Sequence, residues 1–109
     1  MLKRYEMQDC PVDVTLTIID RYNLLIVHHL LKGTKRFGEL KKAISGVSQK
    51  VLTEHLKIME ENKLIIREAF FETTPRVEYS LTELGKTLHI ILDAMWEWGE
   101  IYKEESGKN

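Results

Sequence analysis

The stretch from Ile44 to Lys63, ISGVSQKVLTEHLKIMEENK, admits few structures. Gly46 offers a flexible turn. Ser48 stands where a helix N-cap should stand, with an oxygen that accepts from a free N–H of the first turn. Val51, Leu52, His55, Leu56 and Met59 then recur at helical spacing on one side. Gln49, Lys50, Thr53, Glu54 and Lys57 are left on the other, and the last four share a stripe by the i, i+3, i+4, i+7 rule. The spacing predicts a helix over 48–61 with one face for a core and one for a partner. Lys and Gln hydrogen-bond base edges, and Thr meets an edge or a thymine methyl, so the outer stripe suits the DNA major groove. A solvated amphipathic helix would show the same pattern; the flanking segments decide between the two.

A chain of 109 residues fits one domain, 1–109, with short polar termini and a modest core. Hydrophobic residues make 43% and charged residues 30%, ordinary for a soluble globular protein. No apolar run approaches the roughly 18 residues of a membrane helix, and MLKRYEMQDCP lacks the apolar centre of a signal peptide. The lone cysteine has no internal disulfide partner, which fits a cytoplasmic location. No Cys/His array has zinc spacing and no Gly-rich phosphate loop occurs, so neither a metal nor a cofactor is expected. The net charge of −1 hides an uneven distribution. Residues 32–76 hold 10 Lys/Arg against 6 Asp/Glu, a balance of +4; residues 1–31 stand at −1 and residues 77–109 at −4. Basic charge is therefore concentrated around the 48–61 helix, and phosphate contacts require a local basic face rather than a basic protein.

Taken in order, residues 1–12 read as polar and partly ordered. A short helix is expected from about Asp13, opened by Pro11 and carrying Val14, Leu16, Ile18 and Ile19. A second follows over Tyr22–Leu31, apolar round much of its circumference through Leu24, Leu25, Val27, His28, Leu30 and Leu31, with Gly33 as its stop. Lys35-Arg36-Phe37 reads as a link or small strand, and Gly38–Ile44 as a third helix with Leu40, Ala43 and Ile44 inward and Lys41 and Lys42 outward. A third helix, a short glycine turn and the 48–61 helix make a helix-turn-helix. The period then changes: Leu64–Phe71 and Arg76–Leu81 are strands joined at Thr73-Thr74-Pro75, a hairpin over 64–81 that forms a wing with Arg76 near its tip. Thr82 caps a final helix, Glu83–Lys103. Leu84, Leu88, Ile91, Leu92, Met95, Trp98 and Tyr102 stripe it, widened by Ile90, Trp96 and Ile101. That is more apolar surface than a small three-helix core covers, so the helix is expected to dimerise.

These segments resemble the HxlR-type winged-helix regulators of bacteria and archaea, relatives of the MarR group. The similarity is carried by CPV (Cys10–Val12), KRFGEL (Lys35–Leu40), ISGVSQKVLTEHLK (Ile44–Lys57), PRVEYSLTELG (Pro75–Gly85) and LDAMWEWG (Leu92–Gly99), spanning about residues 10–99. The resemblance implies a mainly α fold with a small β-hairpin wing, an α+β winged helix-turn-helix ending in a dimerisation helix. It implies sequence-specific binding of double-stranded DNA, as a homodimer on an inverted-repeat operator, to control transcription. The chain departs from the family pattern at Asp20-Arg21-Tyr22-Asn23, where Gly-Gly-Lys-Trp is usual, and at Lys63, where Gly is preferred.

The residues expected at DNA are Arg36, Lys41, Lys42, Ser48, Gln49, Lys50, Thr53, Glu54, Lys57 and Arg76. Those expected at the dimer interface are Leu16, Leu88, Ile91, Leu92, Met95, Trp98 and Tyr102. A winged helix used only to bind proteins is the competing reading, and the clustered basic charge disfavours it. An enzyme is not expected: adjacent His28 and His29 point about 100° apart on a helix, and no nucleophile–base pair has a suggestive spacing. Cys10 precedes Pro11 at a helix start, where free N–H groups favour a thiolate, while Asp9 and Asp13 oppose one. Some proteins of the resembled family respond to oxidants through an N-terminal cysteine, so Cys10 is a candidate redox sensor, with simple packing as its alternative.

Overall fold

The computed structural model describes residues 10–107, leaving the polar ends, 1–9 and 108–109, outside the described residues. Six helices and three strands follow one another. Helix α1 spans Pro11–Ile18, α2 Arg21–Leu30, α3 Phe37–Ala43, α4 Gln49–Glu61, α5 Glu83–Lys86 and α6 His89–Ser106. Strand β1 spans Lys35–Arg36, β2 Ile65–Phe70 and β3 Arg76–Leu81. The strands form one antiparallel sheet in the order β1-β3-β2, with Lys35 opposite Tyr79, Ile65 opposite Leu81 and Phe70 opposite Arg76. This is a winged helix-turn-helix. The expected two-stranded wing gains a third, two-residue strand that ties the start of α3 to the hairpin.

Helix α1 begins at Pro11 itself, because a proline with its φ fixed and no N–H to satisfy opens a helix without loss. On α2 the buried face is Asn23, Ile26, Val27 and Leu30. Leu31 and His28, expected inside, are exposed; the helix is amphipathic rather than apolar all round. Ala43 is likewise exposed, since α3 ends there and only Leu40 and, past its end, Ile44 reach the core. Ile26, Val27, Leu40, Leu52 and Met59 are fully excluded from water and form the centre, closed on the sheet side by Ile65, Tyr79 and Leu81. Phe37 packs on the edge of this cluster as a half-buried anchor for α3.

The predicted long final helix is broken in two. Thr82 caps only α5, its Oγ1 accepting from the Gly85 N–H at 2.9 Å while donating to the Lys63 carbonyl at 2.7 Å. Gly85 is buried against the backbone where β2 begins: a Cβ there would stand 2.0 Å from the Leu64 carbonyl oxygen. That close approach holds the four-residue α5 on the sheet. The chain re-forms a helix only after Thr87 and Leu88, then runs on to Ser106.

Helix α4 ends with a left-handed residue, Lys63, at φ 61°. The Leu64 N–H reaches back to the Met59 carbonyl (2.9 Å) and the Lys63 N–H to Glu60 (3.0 Å), the paired bonds of a Schellman turn. A side chain in this conformation costs about 1–2 kcal/mol that glycine avoids. Lys63→Gly should therefore stabilise the fold by up to about 1 kcal/mol once glycine's extra unfolded-state entropy is subtracted. Gly85→Ala should destabilise it by roughly 1–3 kcal/mol by overpacking. Urea unfolding of both variants measures the two opposite shifts.

Candidate nucleic-acid interface

Two buried side chains, Ile44 and Val47, pin the ends of the turn between α3 and α4, and Gly46 takes the left-handed conformation (φ 81°) that lets the backbone reverse between them. Ser48 then caps α4, its Oγ accepting from the Val51 N–H at 3.1 Å. With Leu52, Leu56 and Met59 buried, the helix has one permitted rotation. That rotation puts Gln49, Lys50, Thr53, Glu54 and Lys57 all in solvent, the stripe expected from spacing. The Thr53 hydroxyl donates to the Gln49 carbonyl at 2.8 Å, which leaves its lone pairs and methyl for a partner. The Ser48 hydroxyl is committed to its cap, so Ser48 shapes this surface more than it reads with it.

Lys41 and Lys42 lie exposed on α3 beside this stripe, and Arg36 is exposed at the α3 N-terminus, where its N–H donates to Glu39 (2.8 Å). Arg76 differs from the free wing cation of the sequence reading. Its guanidinium donates to Glu78 at 2.9 Å and to Glu72, and lies 4.1 Å from the centre of the Phe70 ring. Its hydrogen bonds to Glu78 and then to Glu72 hold the guanidinium even more firmly protonated, but both acidic partners already neutralise it. A cation that spacing did not single out, Arg67 of β2, is exposed and shares with Arg36 and Arg76 a cleft between the wing and the start of α3. Its signal in the sequence was its register: two residues after the buried Ile65, it sits on the same sheet face as Ile65 but outside the core.

The inner side of α4 carries one polar contact. His55 Nδ1 lies 2.8 Å from the Asn23 Oδ1 and 3.6 Å from the Asp20 carboxylate, and its ring leans on Tyr22. This is the segment where Gly-Gly-Lys-Trp was noted as missing. Asp20 now caps α2 by accepting from the Asn23 N–H (2.9 Å), so the helix junction is closed by polar groups.

Two apolar faces stay open. Helix α6 has no buried residue over 18 positions; Trp96 is 72% exposed, Trp98 63% and Leu16 on α1 69%. Trp98 stacks on Tyr102 at 5.3 Å between ring centres. Leu88 and Leu92, expected at the dimer interface, are half-buried against the chain's own core. Ile91 and Met95 join Ile90, Ala94, Trp98 and Gly99 along an apolar groove on α6. Cys10, the redox candidate, is buried in the single chain at 4% exposure. Among the described residues no cluster of His, Cys, Asp and Glu is placed to hold a metal, and no helix is long and apolar enough to cross a membrane.

Comparison with known proteins gives a consistent picture. Residues 17–107 match the HxlR-like helix-turn-helix family. The HTH-type transcriptional regulator YdeP of Bacillus subtilis is 39% identical over 104 residues, covering 94% of this chain and 81% of YdeP. A transcriptional regulator of the MarR family from Enterococcus faecalis superposes with a TM-score of 0.80 at 34% identity, over all of both chains. The redox regulator HypR in its reduced form superposes with a TM-score of 0.81 at 35% identity, over 91% of this chain and 99% of HypR.

The wing geometry makes a specific expectation. Arg76→Ala should change the salt dependence of duplex binding by less than one unit of slope, because its charge is already paired. Replacing Glu72 and Glu78 by Ala should free it, tighten non-specific binding and steepen the slope by about one. Titration of a random-sequence duplex over a salt series separates these outcomes.

Proposed function

Because the chain belongs to the HxlR-like helix-turn-helix family and is a DNA-binding transcriptional regulator, we propose that it grips an inverted-repeat operator as a homodimer, one α4 in each of two major grooves. The observation that carries this reading is the rotation of α4. Burial of Leu52, Leu56 and Met59 leaves Gln49, Lys50, Thr53, Glu54 and Lys57 as an unbroken exposed stripe. Gln49 and Thr53 lie in its N-terminal half and read base edges; Lys50 and Lys57 flank them, and Glu54 can accept from a cytosine amine. Arg36, Lys41, Lys42 and Arg67 hold the phosphates on either side and set the register without reading sequence.

The dimer is carried by α6 with α1 as a second contributor. Ile91, Met95, Trp98 and Tyr102 from one copy meet the same residues of the other across a two-fold axis, with Leu16 adding at the edge. Each such side chain removed from water contributes roughly 1.5–3 kcal/mol, so ten of them match or exceed an association cost of about 4–15 kcal/mol. Supporting this, the open apolar face is continuous along α6, and the small residues Ala94 and Gly99 leave a groove that a partner helix can enter.

Redox sensing by Cys10 is the finer proposal. The structural similarity to the redox regulator HypR favours it, and Cys10 sits as the N-cap residue of α1 with no side-chain cap bond of its own. Its burial means that an oxidant reaches it only when the first turn of α1 opens.

Three measurements test these statements. Alanine at Gln49 or Thr53 should cost roughly 1–3 kcal/mol on an operator selected from random duplexes and relax discrimination, whereas alanine at Lys41 or Lys42 should weaken all duplexes alike and lower the salt slope by about one. Sedimentation at micromolar concentration should give twice the 12.8 kDa chain mass; a monomer that still bound the selected repeat tightly would refute the dimer. Operator binding by the Cys10→Ser variant should be insensitive to mild oxidation that weakens the native protein reversibly, and an equal response in both would leave Cys10 a packing residue.

A further inference from the structure

Asn23 is buried to 3% exposure, the one buried polar side chain among the described residues, and every polar atom of its amide is used. Its Nδ2 donates to the Ile18 carbonyl, the last residue of α1, at 2.6 Å. That bond fixes the amide orientation, so Oδ1 is the atom turned to His55 at 2.8 Å, and His55 must donate to it from Nδ1. The ring is held further by Tyr22, at 5.4 Å between centres, and by Asp20 at 3.6 Å. Three elements therefore meet at one amide: the end of α1, the first turn of α2 and the middle of α4. Among the described residues, His55 makes the one side-chain hydrogen bond between α4 and another element, to Asn23 of α2. The rest of the inner face of α4 is held by Leu52, Leu56 and Met59, and apolar packing tolerates small slides that a 2.8 Å hydrogen bond does not.

We infer that Asn23 is a positioning residue for the recognition helix: through His55 it ties the placement of α4 to the end of α1. The inference rests on the reading of α4 as the DNA-contacting helix. On the near side of this joint α1 carries the exposed Val12, Val14 and Leu16. Whatever covers that apolar face moves the Ile18 carbonyl, and the amide passes the movement to His55, four positions before Met59 and two after Thr53. The joint holds α4 at one axial position and one rotation, the two quantities that decide which base edges Gln49 and Thr53 reach. A buried amide with both ends satisfied suits this role, because slipping either partner leaves a buried polar group unpaired.

The test compares discrimination rather than stability. The wild-type protein is used to select an operator from random duplexes, and the ratio of operator to random-duplex affinity is then measured for wild type, His55→Leu, Asn23→Leu, the double Leu variant and His55→Gln. Urea unfolding of each identifies conditions in which all are fully folded. The double variant leaves neither side chain of the pair without its partner, though the Ile18 carbonyl loses its donor in it as in Asn23→Leu, and the unfolding curves decide which variants are compared. The inference expects the ratio to fall by roughly three- to thirty-fold in the double variant, the range of couplings through packed networks. It expects His55→Gln, whose amide can donate to the same oxygen, to recover most of it. A double variant that is folded and discriminates like wild type would overturn the tether while leaving the DNA reading intact, and so would a His55→Gln protein that discriminates no better than His55→Leu. A wild-type protein that binds no duplex would instead remove the reading of α4, and the inference with it.

Discussion

The burial of Leu52, Leu56 and Met59 is the constraint on which the rest depends. A helix with three buried positions on one stripe cannot be turned by a residue, about 100°, without bringing charge into the core. Everything that α4 offers outward is then fixed by subtraction. The same three residues share one core cluster with Ile26 and Val27 of α2 and Leu40 of α3, so the helix-turn-helix and the core are one object. A core substitution here would alter the DNA-facing surface without touching any residue of it.

A second junction sets where the wing stands relative to that helix. Lys63 turns left-handed, Leu64 bonds back to Met59, and Thr82 at the far end of the wing donates to the Lys63 carbonyl and receives from Gly85. Both ends of the hairpin are thus stapled within a few ångströms of the end of α4. The absence of a side chain on Gly85 is what admits α5 to the Leu64 backbone. The strain at Lys63 is small beside what this junction secures, which explains how a lysine survives where glycine would sit more easily.

Much of this was legible in the chain because it is periodic. The inner stripe of α4, the Ser48 cap and the strand alternation of Val77, Tyr79 and Leu81 follow from spacing and local rules, while Lys63 stood out only against the family's preferred glycine. The exposed stripe Gln49, Lys50, Thr53, Glu54 and Lys57 was equally visible. What escaped were long-range contacts. The break between α5 and α6 depends on Gly85 meeting a carbonyl 21 residues earlier, and a helix-friendly sequence across Thr87 gives no local sign of it. The Asn23–His55 bond spans 32 residues; the pairing of Arg76 with Glu78 and Glu72, by contrast, is local, two and four positions away, and turns on side-chain conformations that spacing alone does not give. Leu88 and Leu92 carry the same apolar signal as Trp98, and only the tilt of α6 on α2 decides which of them faces home.

Charge completes the division of labour between the two ends of the molecule. The basic excess of residues 32–76 lies chiefly at β1, α3 and the segment before them, through Lys32, Lys35, Arg36, Lys41 and Lys42, while the acidic excess of residues 77–109 is carried largely by α6 through Asp93, Glu97, Glu100, Glu104 and Glu105. A polyanion approaching the neutral-looking whole therefore meets attraction on one side and repulsion on the other, and at physiological salt each acts over only about 8 Å. The acidic flank of α6 borders its apolar stripe, so the exposed tryptophans stand in a field that repels nucleic acid. The two surfaces are thus set apart by sign: the apolar stripe of α6 is flanked by acid, and the helix-turn-helix by the basic residues of β1 and α3.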